Sequence, residues 1–490
     1  MRVHQSLPKN TRRRPVAAAI AGALALAASG PALAATWTVD NTCVDDVSIG
    51  DVVSKTGTLR FCAANAASGD SIDLSQTTCS QITLTTGAIT IAQSNLSLHG
   101  LDKAHTIISG KDGLSVDTDR IFKATYAGGY VAFDHLSIAF GLYSSAAASA
   151  KGGCVYGKGA IVLDSVDVHD CSTTTLAPAS IALGGGVYAQ ALTMKNGSSL
   201  RFNGAYATQA DGQAQGGGAA VAGQFTMSDS WVLVNSAAVP AGSHGAFGGG
   251  LELGGTSAIT RALIANNHSS FDGGGIDFFT KSPISTATIT NSTITMNGSS
   301  SRTGGIDTNF SATTIANSTI AFNTAPNYFY GPPLHFYSPG VAVNYRGSVG
   351  PPTLTLQGSI IANNTSLGVP NDLSGGAGAA KVTIAGANNL VRAFGSDVSL
   401  PAGQGNLAGQ CPLLGPLRDN GGTTSTHALS SGSPGVGAGN NTVDDPLAHA
   451  TALYDQRGVG FARSIGGFTD MGAFQRQGEL LFDGGFEGCP

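Results

Sequence analysis

The sequence predicts an all-β protein whose chain winds into one single-stranded, right-handed parallel β-helix, a solenoid with a short N-terminal capping helix and an irregular C-terminal cap. The first observation behind this prediction is a returning phrase, in which two or three glycines precede an apolar residue and then an outward-facing residue. The apolar residue of each copy is, in order, Val155, Val187, Ala219, Leu251, Ile276 and Ile306. Copies that follow one another every 25 to 32 residues indicate a repeat architecture.

A second phrase interleaves with the first and predicts another strand in each repeat. It has a small polar start, alternating β-forming residues and a final Asp or Asn. The copies end at Asp170, Asn203, Asn235, Asn266, Asn297, Asn323 and Asn363. A coil of such short strands cannot bury its apolar face alone, so neighbouring coils must stack into a continuous core. We therefore expect the terminal asparagines to form a ladder, with one side chain per coil.

The composition fits one long solenoid. The chain has 490 residues, of which only 11% are charged and 42% are hydrophobic, and 69 residues are glycine. This hydrophobic fraction is ample for a buried core, which argues against a disordered chain. The length exceeds that of an average globular domain but is normal for a stack of coils.

The first 34 residues have the pattern of a secretory signal peptide. A basic start is followed by an apolar run over residues 16–28 and by the small-residue cleavage site Ala32-Leu33-Ala34. Removal of the segment would leave 20 basic and 30 acidic residues, a net charge of −10 instead of −5. Such a balance predicts no nucleic-acid partner, and no other apolar run is long enough to span a bilayer. We expect a secreted or outer-surface protein, with the periplasm as an alternative.

The seven cysteines fit an oxidising destination. Cys154 and Cys171 belong to consecutive strand phrases and are predicted to form one disulfide. A second disulfide is predicted between Cys43 and Cys79. Because the count is odd, at least one thiol must be unpaired or intermolecular. No cysteine has a histidine at a recognisable catalytic spacing, so no catalytic cysteine is expected.

Five segments divide the chain. Residues 1–34 are the signal peptide, and residues 35–80 form an N-terminal cap with the first strands, including a helix over residues 59–67 that Thr58 can cap. Residues 81–410 form the parallel β-helix. Residues 411–476 are irregular and are interpreted as the C-terminal cap, and residues 477–490 are a short tail.

Motifs near the N-terminus and in the repeats resemble known secreted proteins. Thr58-Leu59-Arg60, with Ala64-Asn65 and residues 69–74, resembles the CSLREA-type N-terminal segment of bacterial secreted β-helix proteins. Phe61-Cys62 departs from that pattern, which has an acidic residue and alanine there. The glycine phrases, together with Phe202-Asn203 and Phe322-Asn323, are similar to polymorphic outer membrane protein repeats.

The C-terminal part resembles the choice-of-anchor Q domain. The motifs that carry this resemblance follow one another in the order Leu414-Gly415-Pro416-Leu417, Asp419-Asn420-Gly421-Gly422-Thr423, His427-Ala428-Leu429, Gly432-Ser433-Pro434, Asp455-Gln456-Arg457-Gly458, Arg463 and Asp470-Met471-Gly472-Ala473-Phe474. The three resemblances cover most of the mature chain. They imply a secreted or surface β-helix, and they leave its biochemical activity undefined.

Three outward-facing residues after the glycine phrases are acidic, namely Glu252, Asp277 and Asp307. If they share one column, their carboxylates stack on successive parallel strands about 4.8 Å apart. A neighbouring pair then matches the spacing of a retaining glycosidase, and a pair two coils apart falls in the wider inverting range. The same oxygens could bind Ca²⁺, although no other cofactor is expected. A solvated acidic strip without chemistry is the third interpretation.

Aromatic side chains form a second candidate site. Tyr156 and Tyr188 follow the first two glycine phrases, and an insertion between coils adds Tyr328, Phe329, Tyr330, Phe336 and Tyr337. Flat rings with an apolar face suit the stacking of sugar rings, so these residues predict a glycan-binding platform. The alternative is that the inserted loop folds over the helix side to protect apolar coils.

Other site motifs are absent from the sequence. The ten histidines are scattered, and no two have metal-ligand spacing, so no metal site is predicted. No phosphate-binding loop, dinucleotide fingerprint or Ser/His/Asp arrangement occurs.

Two hypotheses of function follow. The first is a non-catalytic β-helix for adhesion or for binding a polysaccharide or cell-surface glycan. The second is a polysaccharide lyase or glycoside hydrolase that uses the Glu252, Asp277 and Asp307 column. The sequence predicts no oligomeric state.

Overall fold

The computed structural model describes residues 34–43, 48–110, 119–146, 149–243, 245–279, 285–309, 311–326, 338–344, 352–375, 382–395, 398–441, 444–447 and 450–478. The predicted signal peptide up to residue 33, the loop with Tyr328, Phe329, Tyr330, Phe336 and Tyr337, and the end of the tail lie outside these residues. The expectations for those segments therefore stay predictions.

The described strands stack in parallel into a right-handed β-helix, which confirms the predicted fold class. Each coil contributes to two strand columns that merge into a 22-stranded sheet. They merge because the long strands Val155–Asp164 and Val187–Lys195 run through both columns.

The first strand column contains the residues that follow the glycine phrases. Its strands are Ile89–Ile91, Phe122–Ala124, Val155–Asp164, Val187–Lys195, Ala219–Val221, Leu251–Leu253, Ile276–Phe279, Ile306–Asn309, Val341–Asn344 and Leu373–Gly375. The second strand column shares the two long strands and adds Thr36–Val39, Ser71–Asp73, Leu96–His99, Tyr130–Asp134, Phe225–Ser228, Ser257–Thr260, Ser285–Thr290, Ser311–Ala316, Thr353–Gln357 and Thr383–Ala387. A small antiparallel pair, Gly50–Asp51 with Thr56–Gly57, joins its N-terminal edge.

The third strand column is a separate 12-stranded sheet that contains the second sequence phrase. Its strands are Gln81–Thr83, Ile107–Ser109, Ser137–Ala139, Asp167–His169, Ser199–Arg201, Trp231–Leu233, Leu263–Ala265, Thr293–Thr295, Thr319–Ala321, Ile360–Ala362, Leu390–Val391 and Leu407–Ala408.

Two shorter sheets and three antiparallel pairs complete the described strands. The six-stranded sheet contains Leu142–Ser145, Ser172–Thr175, Gly204–Ala207, Ser236–Ala238, His268–Ser269 and Gly298–Ser299. The four-stranded sheet contains Ala150–Lys151, Ile181–Leu183, Gln213–Gln215 and Ala246–Phe247. The pairs are Thr365–Ser366 with Val369–Pro370, Leu414–Arg418 with Thr426–Leu429, and Asp444–Asp445 with Ala450–Thr451.

The core follows from the period of two in each strand. Leu251 and Leu253 point into the coil and are fully buried, and the residues in register with them on neighbouring coils join the same apolar cluster. The residue between them, Glu252, points to the outer face of the sheet. The glycine phrase therefore sets which side chain of each coil faces outward.

The predicted N-terminal helix is present as Leu59–Asn65, two residues shorter than expected. Thr58 is its N-cap, and the Thr58 side chain accepts a hydrogen bond from the Phe61 amide. The helix buries Leu59, Cys62 and Ala63, and Arg60 donates to the carbonyls of Ala88 and Gly87 at 3.0 and 2.8 Å. The helix therefore lies against the first strand of the first column.

An amide ladder ties successive coils together at the bend after the third strand column. Its members are Asn203, Asn235, Asn267, Asn297, Asn323 and Asn364, and each side chain accepts from the backbone amide and side chain of the previous member at 2.8–3.0 Å. The ladder confirms the prediction, but two of its predicted members were wrong. Asn266 and Asn363 have φ angles of 56° and 61°, and the ladder side chain comes from the asparagine that follows each.

Both predicted disulfides, Cys154–Cys171 and Cys43–Cys79, are present. The Cys171 amide donates to the Asn203 side chain at 3.1 Å, so the first disulfide stands at the N-terminal end of the ladder. Among the described residues, Cys62 is a free cysteine, and it is buried. Burial raises the pKa of Cys62 to about 12, which keeps this thiol protonated and unreactive.

The irregular C-terminal segment packs along the side of the third strand column. Leu414, Leu429 and Met471 join an apolar cluster with strand residues such as Ile360. The His427 imidazole accepts from the Thr295 hydroxyl at 3.0 Å. The segment is itself held by polar contacts, including a buried ion pair of Arg457 and Asp455 at 2.8 Å and hydrogen bonds from Arg463 to the carbonyls of Asp470 and Gly472.

Within the described part of the chain, no helix has the length and hydropathy needed to cross a membrane.

Substitution of a ladder asparagine tests this account of the fold. In Asn267→Ala, the Asn235 amide loses its acceptor and the Val232 carbonyl loses its donor, both in a buried environment. We expect the free energy of unfolding, measured by urea titration, to fall by about 3 kcal/mol. Asn65→Ala removes an exposed helix-end amide and should change it by less than about 0.5 kcal/mol. Equal losses in the two variants would contradict the role of the ladder.

Candidate functional site

One column of outward-facing side chains contains both groups of candidate site residues. In register along the first strand column, these side chains are Thr90, Lys123, Tyr156, Tyr188, Ala220, Glu252, Asp277, Asp307, Ala342 and Ser374. We call this set the outward column. Glu252, Asp277 and Asp307 occupy three successive coils, as the glycine phrases predict. Tyr156 and Tyr188 lie in the same column, with Ala220 between them and the acidic residues.

The acidic part of the outward column is buried. Glu252 is 6% exposed, and Asp277 and Asp307 are fully buried, so the interpretation as a solvated acidic strip is wrong. An amide from the next coil supports each aspartate. Asn309 donates to Asp277 Oδ1 at 3.1 Å, and Asn344 donates to Asp307 Oδ1 at 2.7 Å.

Glu252 differs from the two aspartates because its neighbouring coil lacks this amide. Asn309 follows Asp307 by two residues, and Asn344 follows Ala342 by two residues, so each amide comes from the coil after the aspartate that it supports. In the coil after Glu252, the residue at this position is Phe279. Burial, followed by the charges of Asp277 and Asp307, raises the pKa of Glu252 well above its ordinary value. The site therefore favours a protonated carboxyl beside two further acidic groups.

The acidic part offers a limited metal site. Among the described residues, Glu252, Asp277 and Asp307 do not form a group whose ligand atoms all lie within 4.8 Å of one another. A Ca²⁺ ion here would use neighbouring carboxylates together with Asn309 Oδ1 and Asn344 Oδ1, which are buried and have no hydrogen-bond donor within the described residues. Hard oxygen atoms of this kind suit Ca²⁺, and its binding stays an expectation.

The aromatic part of the outward column borders an open, positively charged pocket of about 370 Å³. Arg120, Lys123, Thr125, Tyr143, Ser149, Lys151, Tyr156 and Lys158 line it; we call it the basic aromatic pocket. The rings of Tyr156 and Tyr188 are nearly parallel, with an interplanar angle of 9° and centroids 5.7 Å apart. Lys151 Nζ lies 4.6 Å from the centroid of the Tyr188 ring, which adds a cation–π contact.

Arg120 is the most constrained cation of the basic aromatic pocket. Its guanidinium lies 3.6 Å from the centroid of the Tyr143 ring and donates to the carbonyls of Lys151 and Gly152 at 3.1 and 3.4 Å. Its only carboxylate partner among the described residues is the partly exposed Asp119, at 3.6 Å. Lys123 and Lys158 are exposed at the same pocket. Positive charge thus exceeds negative charge around the two stacked tyrosines.

The glycine phrases of the sequence predict the two tyrosines as site residues but do not predict the cations around them. Lys123 lies one coil before Tyr156, on the strand Phe122–Ala124, and Arg120 lies just before that strand. No glycine phrase precedes this strand in the sequence. The repeat length of the glycine phrases could have indicated these cations, because counting back one repeat from Tyr156 reaches the strand Phe122–Ala124. The five loop aromatics predicted for the platform lie outside the described residues.

Comparisons with known proteins place the chain in no family. No family model matches the sequence, and no curated protein matches it. The solved structure of the pectate lyase Pel9A aligns with 90% of this chain and 96% of its own, at 14% identity and a TM-score of 0.39. A complex of the alginate lyase AlyF-OU02 with G6 aligns with 81% and 91%, at 12% identity and a TM-score of 0.28. At these values neither protein's activity carries over to this chain, and the family resemblances stay interpretations of motifs.

The raised pKa of Glu252 predicts how stability depends on pH. The folded state holds a proton that the unfolded chain releases, so this group makes stability fall as the pH rises above the ordinary glutamate value of about 4.3. We expect Glu252→Gln to unfold at a higher urea concentration than the unsubstituted chain at pH 7–8, with the difference vanishing near pH 4. EDTA in all samples excludes divalent cations.

The matched control is Asp102→Asn. Asp102 is an exposed carboxylate whose pKa is lowered by a hydrogen bond from His105, so its removal should give no gain in stability at high pH. A Glu252→Gln chain that is less stable than the unsubstituted chain at pH 8 would show that the buried carboxylate is ionised and well compensated.

Proposed function

We propose that this protein binds an acidic polysaccharide without cleaving it, and that the ligand lies in the basic aromatic pocket with sugar rings against Tyr156 and Tyr188. The observation that supports this most is that Arg120, Lys123, Lys151 and Lys158 line one pocket together with Tyr156. The Tyr156 ring is nearly parallel to that of Tyr188 on the next coil. The chain as a whole has a net charge of −5, so this local positive charge is a specific feature of the pocket.

The chemistry of each part suits a uronate chain. A guanidinium held by stacking and by two carbonyl acceptors is preorganised to meet a carboxylate. Exposed lysines add charge that attracts the ligand from solution. The two stacked rings, 5.7 Å apart along the outward column, add apolar contact surface beside these cations, which suits a sugar ring that lies against their edges.

The burial of the acidic residues favours binding over catalysis. A carboxylic acid that protonates a glycosidic oxygen, or a carboxylate that attacks the anomeric carbon, must contact the substrate. Asp277 and Asp307 are fully buried. The basic aromatic pocket is open, and its Tyr156 lies three coils before Glu252 in the outward column, with Tyr188 and Ala220 between them.

Binding is tested with polygalacturonate as the acidic probe and dextran as the neutral probe. We expect saturable binding of polygalacturonate, measured by calorimetry, that weakens as salt is added, and no binding of dextran. Tyr156→Ala and the double variant Lys123→Ala with Lys158→Ala should each weaken the affinity about tenfold, which corresponds to about 1.4 kcal/mol.

Tyr206→Ala serves as the matched tyrosine control, since Tyr206 is 38% exposed and lies outside the basic aromatic pocket. Its affinity for polygalacturonate should equal that of the unsubstituted chain. Equal binding of both polysaccharides, or equal affinities for all these variants, would refute the proposed pocket.

A second candidate function, a polysaccharide lyase or glycoside hydrolase, rests on the acidic part of the outward column. Three carboxyl groups in register, one with a raised pKa, provide an acid beside a base. This function predicts that incubation with polygalacturonate releases new reducing ends or unsaturated products, and that Asp277→Asn and Asp307→Asn abolish the release. Binding of polygalacturonate without release of any product over long incubation would rule out the catalytic function and support the non-catalytic one.

A further inference from the structure

The β-helix register brings two histidines and an aspartate together at a place away from the outward column. His99 ends the strand Leu96–His99, and Asp134 ends the neighbouring strand Tyr130–Asp134, where the two residues are in register. His135 follows directly and adopts a φ angle of 53°, which turns the chain at the end of the strand. The two histidines are 36 positions apart in the sequence, so no local pattern indicates that they meet.

The three side chains converge through their ligand atoms. Nδ1 of His135 lies 3.1 Å from Asp134 Oδ1, and Nδ1 of His99 contacts the same oxygen. The two imidazole rings have centroids 5.6 Å apart at an interplanar angle of 66°. One ligand atom from each residue lies within 4.8 Å of the others.

We propose that His99, Asp134 and His135 form a binding site for a divalent first-row transition-metal ion of the Zn²⁺ type. Two imidazole nitrogens and one carboxylate oxygen are ligands that Zn²⁺ accepts. Ligand atoms about 2.0–2.2 Å from a tetrahedral Zn²⁺ are about 3.3 Å from one another. The observed 3.1 Å between His135 Nδ1 and Asp134 Oδ1 is close to that separation, and all three ligand atoms lie within the 4.8 Å already given. Ca²⁺ and Mg²⁺, which prefer oxygen ligands, do not suit this set.

The backbone around the site is fixed independently of any ion. The Gly100 amide donates to the Asp134 carbonyl at 2.9 Å, and the His135 amide donates to the Asp164 carbonyl at 3.1 Å. A Cβ at Gly100 would come within 2.4 Å of the His135 carbonyl oxygen, so this close approach of the two coils requires glycine. The three ligands are therefore carried on a prepared scaffold.

Within the described residues, the surroundings of the site add no further free carboxylate from the next coil, and they leave the two histidines open to solvent. On the next coil, Asp164 is bound by Lys195 at 2.9 Å and by Asn196 at 2.8 Å, which engages its carboxylate. The side chains of His99 and His135 are 48% and 49% exposed. A metal ion here would accept water or an external ligand at its remaining positions.

The test uses the full chain without an affinity tag, stripped of metal with EDTA and dialysed, and titrated with ZnCl₂ in a calorimeter. We expect one saturable site, a rise in the unfolding temperature with ZnCl₂, and the visible absorption bands of nitrogen-ligated Co²⁺ on titration with CoCl₂. His99→Ala and His135→Ala should each weaken Zn²⁺ affinity by about 100-fold, since even loss of an outer-shell partner costs about 10–100-fold.

His105→Ala is the matched control, because His105 is an exposed histidine that contacts a single carboxylate, Asp102, at 2.8 Å. Its Zn²⁺ affinity should be unchanged. If His99→Ala does not fold, His99→Gln and Asp134→Asn replace it, and circular dichroism verifies the fold of each variant. Absence of saturable Zn²⁺ binding, or equal affinities in the His99, His135 and His105 variants, would overturn the proposal. Loss of polysaccharide binding in the earlier tests would leave it unaffected.

Discussion

The structure depends on one constraint, the register between successive coils, and buried side-chain hydrogen bonds at the bends enforce it. In the amide ladder, the side-chain oxygen of each asparagine after Asn203 accepts two hydrogen bonds from the asparagine of the neighbouring coil. One comes from the backbone amide and one from the side-chain amide, as Asn267 accepts from Asn235. A shift of one coil by a single residue would leave those buried groups without partners and would also turn every apolar side chain outward. Serines at the bend before the third strand column repeat the principle. The backbone amides of Ser292 and Ser318 each donate to the serine hydroxyl of the next coil.

Register also explains why candidate site residues far apart in the chain meet. The outward column takes one residue from each coil, so a short stretch of sheet shows a basic aromatic part and an acidic part within a few strand spacings. In the acidic part, the identity of one residue per coil sets the electrostatics. Asn309 and Asn344 support the two aspartates, and Phe279 leaves Glu252 without an equivalent donor.

The sequence predicts the parts of this structure that repeat and misses the parts that occur once. The glycine phrases correctly place Glu252, Asp277 and Asp307 in one column, because the turn before each strand sets which side chain faces outward. The prediction of Asn266 as a ladder member was wrong because asparagine suits both the left-handed turn position, which Asn266 occupies, and the ladder, which takes Asn267. The burial of the acidic residues, the cations around Tyr156 and the meeting of His99 with His135 arise from contacts between coils that no local pattern records.

The amide ladder ends differently on its two sides. At the N-terminal side the next position belongs to Cys171, which is covalently joined to Cys154. At the C-terminal side, Asn364 donates its backbone amide and its side chain to Asp372, both at 2.8 Å. Burial raises the pKa of Asp372 to about 7, whereas the other end is closed by a covalent bond between two buried cysteines. The same row of amides therefore ends on a covalent bond at one side and on a titratable carboxyl group at the other, so different chemistry holds its two ends.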